Sequence, residues 1–261
     1  MTKENTVVKL KKNKQIKMLT FTGKYVDLSN LTEEDIDVKD IAHSLSNLCR
    51  YNGHTNRFYS VAEHSVRLAR YAVNNLPTEN ELNNKVAKAL LMHDATEAYV
   101  GDVIYPLKKA LPEFSKFEDK IAEVINKKFG IETDEEVLKH VSSLDRRICF
   151  DEMYMMMDGR VDDTLYLEGV RPIGVEKLIL GQNDYMGWAP NIANERFLAV
   201  CAWFGYYIPP SEATIDVSKK DEDEDRSGMP VQPVDENGTP VSSTEVINED
   251  GSIVKLLSES N

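Results

Sequence analysis

Residues 84–99, NKVAKALLMHDATEAY, decide how the rest of the chain is read. The segment is apolar on nearly all sides around Leu90–Met92, so the pattern predicts a central, buried helix. His93 and Asp94 lie inside it. Burying an unpaired carboxylate is costly enough that Asp94 must pair, bind a metal or take up a proton.

Two other segments pose the same problem. SVAEHSVRLA (residues 60–69) opens with Ser60 as an N-cap and Glu63 as its capping-box partner, and His64 falls on the stripe of Val61, Leu68, Ala72 and Leu76. SLDRRI (residues 143–148) sets Asp145 on a stripe between Val141 and Cys149. Singly, each polar residue reads as a core group satisfied by hydrogen bonds. Together, three helices turn two imidazoles and two carboxylates inward, a set that suits a divalent ion such as Mn, Co, Fe or Zn.

Around this centre the pattern is mostly helical. MLTFTGKYVDL (residues 18–28) alternates about Thr22-Gly23-Lys24 and predicts a short hairpin. A helix opens at Asp37 with Ile41, Leu45 and Leu48 on one face, and Arg50–His54 ends it. Gly101 stops the central helix and Pro106 keeps the next segment in a loop. Phe114 to Ile125 mark an amphipathic helix closed by Gly130; Val137 to Ile148 mark another, reaching about Met157; residues 192–208 form the last. The fold class is all-α, a helical bundle with a short N-terminal β-hairpin and disordered ends. Residues 1–17 form a flexible basic arm with six lysines against Glu4, and 18–208 the domain. Residues 209–261 form an acidic tail, expected to be disordered.

The net charge of −13 is uneven: thirteen Asp/Glu against four Lys/Arg in residues 211–261 put −9 there and leave −4 elsewhere. Such a tail repels phosphates, so stable DNA binding is not expected, whereas a nucleotide needs only a local cationic pocket. No stretch has the ~20 apolar residues of a membrane span. Cys49, Cys149 and Cys201 form no CxxC pair, which argues against a cysteine-bound zinc and for a reducing compartment.

In its ordered set His64, His93-Asp94 and Asp145, the chain resembles the HD-domain phosphohydrolases. The likeness extends to RYNGHTNRFYSVAEHS, GDVIYPLKK and GWAPNIANERFLAV, covers about residues 18–208, and is closest in flavour to the bacterial and phage branch related to 5′-deoxynucleotidases. The resemblance implies His64, His93, Asp94 and Asp145 as ligands of a divalent ion, with room for a second, Mg or Mn. It gives Glu97 a role in proton transfer, in positioning the attacking water or in holding a further metal, and Asp102 a contact to the sugar or a second metal. Arg50, Arg57 and Lys108 are candidates for the phosphate. His54 could touch phosphate or metal, or cap its loop.

The function implied is metal-dependent hydrolysis of deoxynucleotide 5′-phosphoesters, with a deoxynucleoside 5′-monophosphatase favoured over a dNTP triphosphohydrolase. A non-catalytic nucleotide-binding regulator is the reading from another class. A homo-oligomer in the cytoplasm, or in a host's cytoplasm if the chain is viral, completes the expectation.

Overall fold

The computed structural model describes residues 15–76, 80–158, 170–181 and 184–209, and the backbone of two short strands in the tail. Strands β1 (Lys17–Leu19) and β2 (Tyr25–Asp27) pair antiparallel with Met18 opposite Val26. Helices follow in the order α1 (Val38–Asn47), α2 (Val61–Asn75), α3 (Asn80–Met92), α4 (Glu97–Val100), α5 (Tyr105–Ala110), α6 (Pro112–Phe129), α7 (Glu135–Met156), α8 (Val175–Leu178) and α9 (Pro190–Trp203). No helix among the described residues is long and apolar enough to cross a membrane.

Local chemistry sets most boundaries. Asp37, Ser60 and Asp134 cap α1, α2 and α7, each accepting a backbone N–H of the first turn. Gly130 closes α6 in the left-handed conformation that a side chain would oppose. Pro106 does not hold its segment in a loop; it lies in the first turn of α5, where its missing N–H costs nothing. The last helix likewise begins at Pro190, earlier than its apolar run, and ends at Trp203.

The central helix is α2 rather than the one first read. Every residue from Val61 to Ala69 is buried, and two apolar layers meet on it. Ile41 and Leu45 of α1 and Phe197 and Cys201 of α9 pack on one side, against Val66 and Ala69. Val86 and Leu90 of α3, Leu144 and Ile148 of α7, and Leu178 pack on the other, against Leu68 and Tyr71. Hydropathy could not anticipate this, because Glu63 and Arg67 are fully buried as a mutual pair. Helix α3 is buried only toward its C-terminal end, and it stops at Met92, one residue short of His93.

By its contacts the chain divides into residues 1–209 and 210–261. In the second unit β3 (Glu245–Ile247) and β4 (Ile253–Lys255) pair antiparallel, where no structure is expected from composition. The sequence there sets β-branched Val246, Ile247, Ile253 and Val254 about an Asp250-Gly251 dipeptide, which suits a hairpin. Most of the tail and nearly all of the basic arm lie outside the described residues.

Candidate metal centre and cavity

Four of the expected side chains converge. His64 comes from the first turn of α2, His93 and Asp94 from the turn that follows α3, and Asp145 from the middle of α7. His64 Nε2 lies 3.2 Å from His93 Nε2 and 3.7 Å from Asp94 Oδ2. Asp145 Oδ1 is 3.3 Å from His64 Nε2 and 3.8 Å from His93 Nε2, and Asp94 Oδ2 is 3.2 Å from His93 Nε2. Donor atoms of His64, His93 and Asp94 all lie within 4.8 Å of one another, and Asp145 joins them through the two imidazoles.

The donor set fits a cation. Two ligands ~2.1 Å from one ion, at the angles of tetrahedral or octahedral coordination, stand roughly 3.0–3.4 Å apart. The opposite ring nitrogens are already committed. His93 Nδ1 donates to the Leu90 carbonyl at 2.7 Å, and His64 Nδ1 lies 2.6 Å from Glu152 Oε1. The neutral imidazoles therefore present Nε2 lone pairs to each other and to two carboxylates, an arrangement that only protons or a metal ion can relieve.

Without a cation, protons fill that place. Burial opposes charge on His93, yet Asp94 and Asp145 raise it to about 9. On His64, burial and Arg50 are outweighed by Glu152 and Asp145, and its affinity for a proton is also raised. Burial would lift Asp145, but the two imidazoles hold it well below the usual carboxylate range.

A cavity of about 800 Å³ opens beside the cluster. Asp94, Asp145, Glu97, Asp102, Arg50 and Lys108 all line it, and its apolar wall includes Ile104, Tyr105, Phe150 and Met153. Asp145 is thus no core residue; its side chain is 42% exposed, toward this space. Glu97 begins α4 instead of continuing the helix of His93, because i→i+3 bonds such as Ala95 N–H to Met92 O replace the α-helical ladder at this turn. Its buried Oε2 has no hydrogen-bond partner among the described residues. Burial, Asp94 and Asp102 push the Glu97 carboxyl up to about 9 against Lys108 and Arg50, and burial raises Asp102 as well.

The expected phosphate contacts divide. Arg50 reaches Asp94 Oδ2 at 3.3 Å, and Lys108 reaches Glu118 at 2.8 Å and Glu97 at 3.4 Å. Arg57 and His54 do not line the cavity. Both are exposed, and Arg57 packs on Gly187, where a Cβ would stand 2.5 Å from its Cδ. The Cys49–Ser60 bridge closes their loop at its base, and of its residues it is Arg50 and Tyr51 that line the cavity. In exchange, Arg146 and Lys109 line the cavity and offer cations that the sequence reading left aside.

The reading also missed Glu152. This fully buried carboxylate accepts from Tyr51 Oη at 2.5 Å and Tyr59 Oη at 2.8 Å, besides facing His64 Nδ1 and lying 3.3 Å from Arg50 Nε. Burial alone would raise it, but Arg50 and His64 lower it to about 2. A signal existed: Glu152 follows Asp145 by two helical turns and so shares its face.

Comparison with known proteins agrees with this geometry. Residues 45–148, which contain all four converging side chains, match the family model for an HD domain. The uncharacterized protein YfdR of Escherichia coli strain K12 is 44% identical over 112 residues, 43% of this chain and 57% of that protein. An uncharacterized protein of Rhodobacter capsulatus is 34% identical over 113 residues, 42% of this chain and 56% of its own length. The chain thus spans a little over half the length of these curated relatives.

Proposed function

We propose that this chain is a metal-dependent phosphohydrolase acting on deoxynucleotide 5′-phosphoesters, with deoxynucleoside 5′-monophosphates as the favoured substrates. The observation that carries the reading is the meeting of four donors, two from imidazoles already committed at Nδ1, beside a cavity also lined by Arg146 and Lys109. The match of residues 45–148 to an HD domain supports the same class.

His64, His93, Asp94 and Asp145 would hold the ion, whose chemistry is to lower the pKa of a bound water and polarise a phosphoryl oxygen. Arg146 and Lys109 neutralise the phosphate oxygens as charge builds on them. Arg50 holds Asp94 in place and extends the cationic side of the cavity. The Glu97 carboxyl, kept protonated at neutral pH, can hand a proton to the departing sugar oxygen. Asp102 suits a sugar hydroxyl, and the wall of Ile104, Tyr105, Phe150 and Met153 suits the flat apolar face of a base.

The test is a panel of deoxynucleoside mono- and triphosphates with Mn²⁺ or Co²⁺, with products separated by chromatography. Release of inorganic phosphate from monophosphates is the expected result, and triphosphate released from dNTPs would transfer the chain to the alternative activity. Tight nucleotide binding with no product under any divalent metal would make it a regulator and overturn the enzymatic reading.

A further inference from the structure

Glu152 is a fully buried acid that the chemistry above does not use. A carboxylate offers about four lone-pair directions. Here three donors hydrogen-bond to it, the hydroxyls of Tyr51 and Tyr59 and His64 Nδ1, and the Arg50 guanidinium adds an ion pair at 3.3 Å. These donors come from different parts of the chain. His64 is on the central helix, whereas Arg50 and Tyr51 lie on a 3-10 turn that lines the cavity. On that turn Tyr51 and Asn52 take left-handed backbone angles, φ 55° and 56°. Side chains oppose this conformation, and it persists only where surrounding contacts impose it. The Tyr51 hydroxyl bond to Glu152 is such a contact.

We propose that Glu152 is a positioning residue that fixes Nε2 as the nitrogen His64 offers to a metal and pins the Arg50–Tyr51 wall of the cavity to the same anchor. The proposal rests on the metal-centre reading for its first half. Glutamine at this position would keep the shape but present only one acceptor oxygen and two donors. Either Tyr51, or Tyr59 and His64 together, would then face the amide nitrogen, and the Arg50 guanidinium would lose its counter-charge.

Full-length wild type, Glu152→Gln and Tyr59→Phe are titrated calorimetrically with Mn²⁺ alone, after melting curves establish that each is folded. Glu152→Gln should bind Mn²⁺ ~10–100-fold more weakly, while Tyr59→Phe, which removes one hydroxyl donor and leaves the carboxylate, shifts affinity only a few-fold. A folded Glu152→Gln with wild-type affinity overturns the proposal. Long-range ¹H–¹⁵N spectra of metal-free wild type supply a readout that does not need the variant to fold. They should show a hydrogen-bonded proton on His64 Nδ1, assigned by its absence in His64→Ala, and a bare Nδ1 overturns the proposal. Should wild type bind no Mn²⁺, the metal reading falls, while a retained Nδ1 proton still supports Glu152 as the anchor of His64.

Discussion

Helix α2 contributes to two polar assemblies, one fully buried and one open to the cavity. On one side, Arg67 gives Nε and Nη2 to Glu63 and Nη1 to Asp184, with the Leu178 and Tyr185 carbonyls taking further bonds. Glu63 also accepts the Gly187 and Trp188 backbone N–H groups, and the Trp188 ring lies between Arg67 and Arg196 at 4.4 and 4.1 Å. Donors match acceptors throughout, and nothing is left for a ligand. On the other side, His64 joins a cluster in which acceptors face acceptors. A closed network is a structural joint; an open one beside a cavity is a place for a cation.

The sharpest way to break this contrast is to remove one member from each assembly. His93→Ala should abolish Mn²⁺-dependent turnover while the protein still melts cooperatively; residual metal-dependent activity would show that the cluster is not the reactive centre. Arg67→Ala should do the reverse, costing ~3–5 kcal/mol in urea unfolding because Glu63 is left buried and unpaired. A loss of metal affinity in its folded fraction as large as that of His93→Ala would erase the distinction.

The open assembly must also respond to pH. The His93 proton affinity is raised to about 9, so metal and proton compete for Nε2 over the neutral range. Mn²⁺ affinity should therefore rise by up to about tenfold per pH unit from pH 7 and level off near 9. The metal-free fold should move the opposite way. A group whose folded pKa exceeds its unfolded value stabilises most below the unfolded one, ~6.5 for histidine, and that contribution fades as pH climbs through about 9. Calorimetry and unfolding at pH 7, 8 and 9 read both, and a flat affinity profile would contradict protonation of the cluster.

A smaller effect is expected at the rim. Arg146→Ala should raise KM for a nucleotide several-fold and leave Mn²⁺ affinity unchanged, because its side chain touches the cavity without joining the cluster.

Much of this architecture could be read from residue spacing. Caps at Asp37 and Ser60, the stripe of Ile121 and Ile125, and the stop at Gly130 are local signals, and the helices obey them. The convergence of His64, His93, Asp94 and Asp145 was legible because each interrupts an apolar sequence pattern, although Asp145 does so facing the cavity rather than the core. Three things were not. Glu63 has the spacing of a capping box, yet only Ser60 plays its part; the carboxylate is drawn to Arg67 and to backbone 124 and 125 residues away. Glu152 hides in a methionine-rich stretch because its donors come from residues 50–64. Arg57 is near His64 in sequence but is exposed and packs on Gly187, outside the cavity lining.

The closed joint bears on what constitutes an autonomous folding unit. The HD-domain match ends at residue 148, but the groups that satisfy Glu63 and Arg67 lie between Leu178 and Trp188. A chain cut at the end of that match would carry an ion pair in its central helix stripped of the backbone and carboxylate bonds that make its burial tolerable. The helices that present the four converging residues therefore become a finished molecule only when a segment more than a hundred residues downstream of α2 has been made and has docked. The entropy of closing that loop grows only slowly with its length, so what the joint delays is the moment the fold is complete.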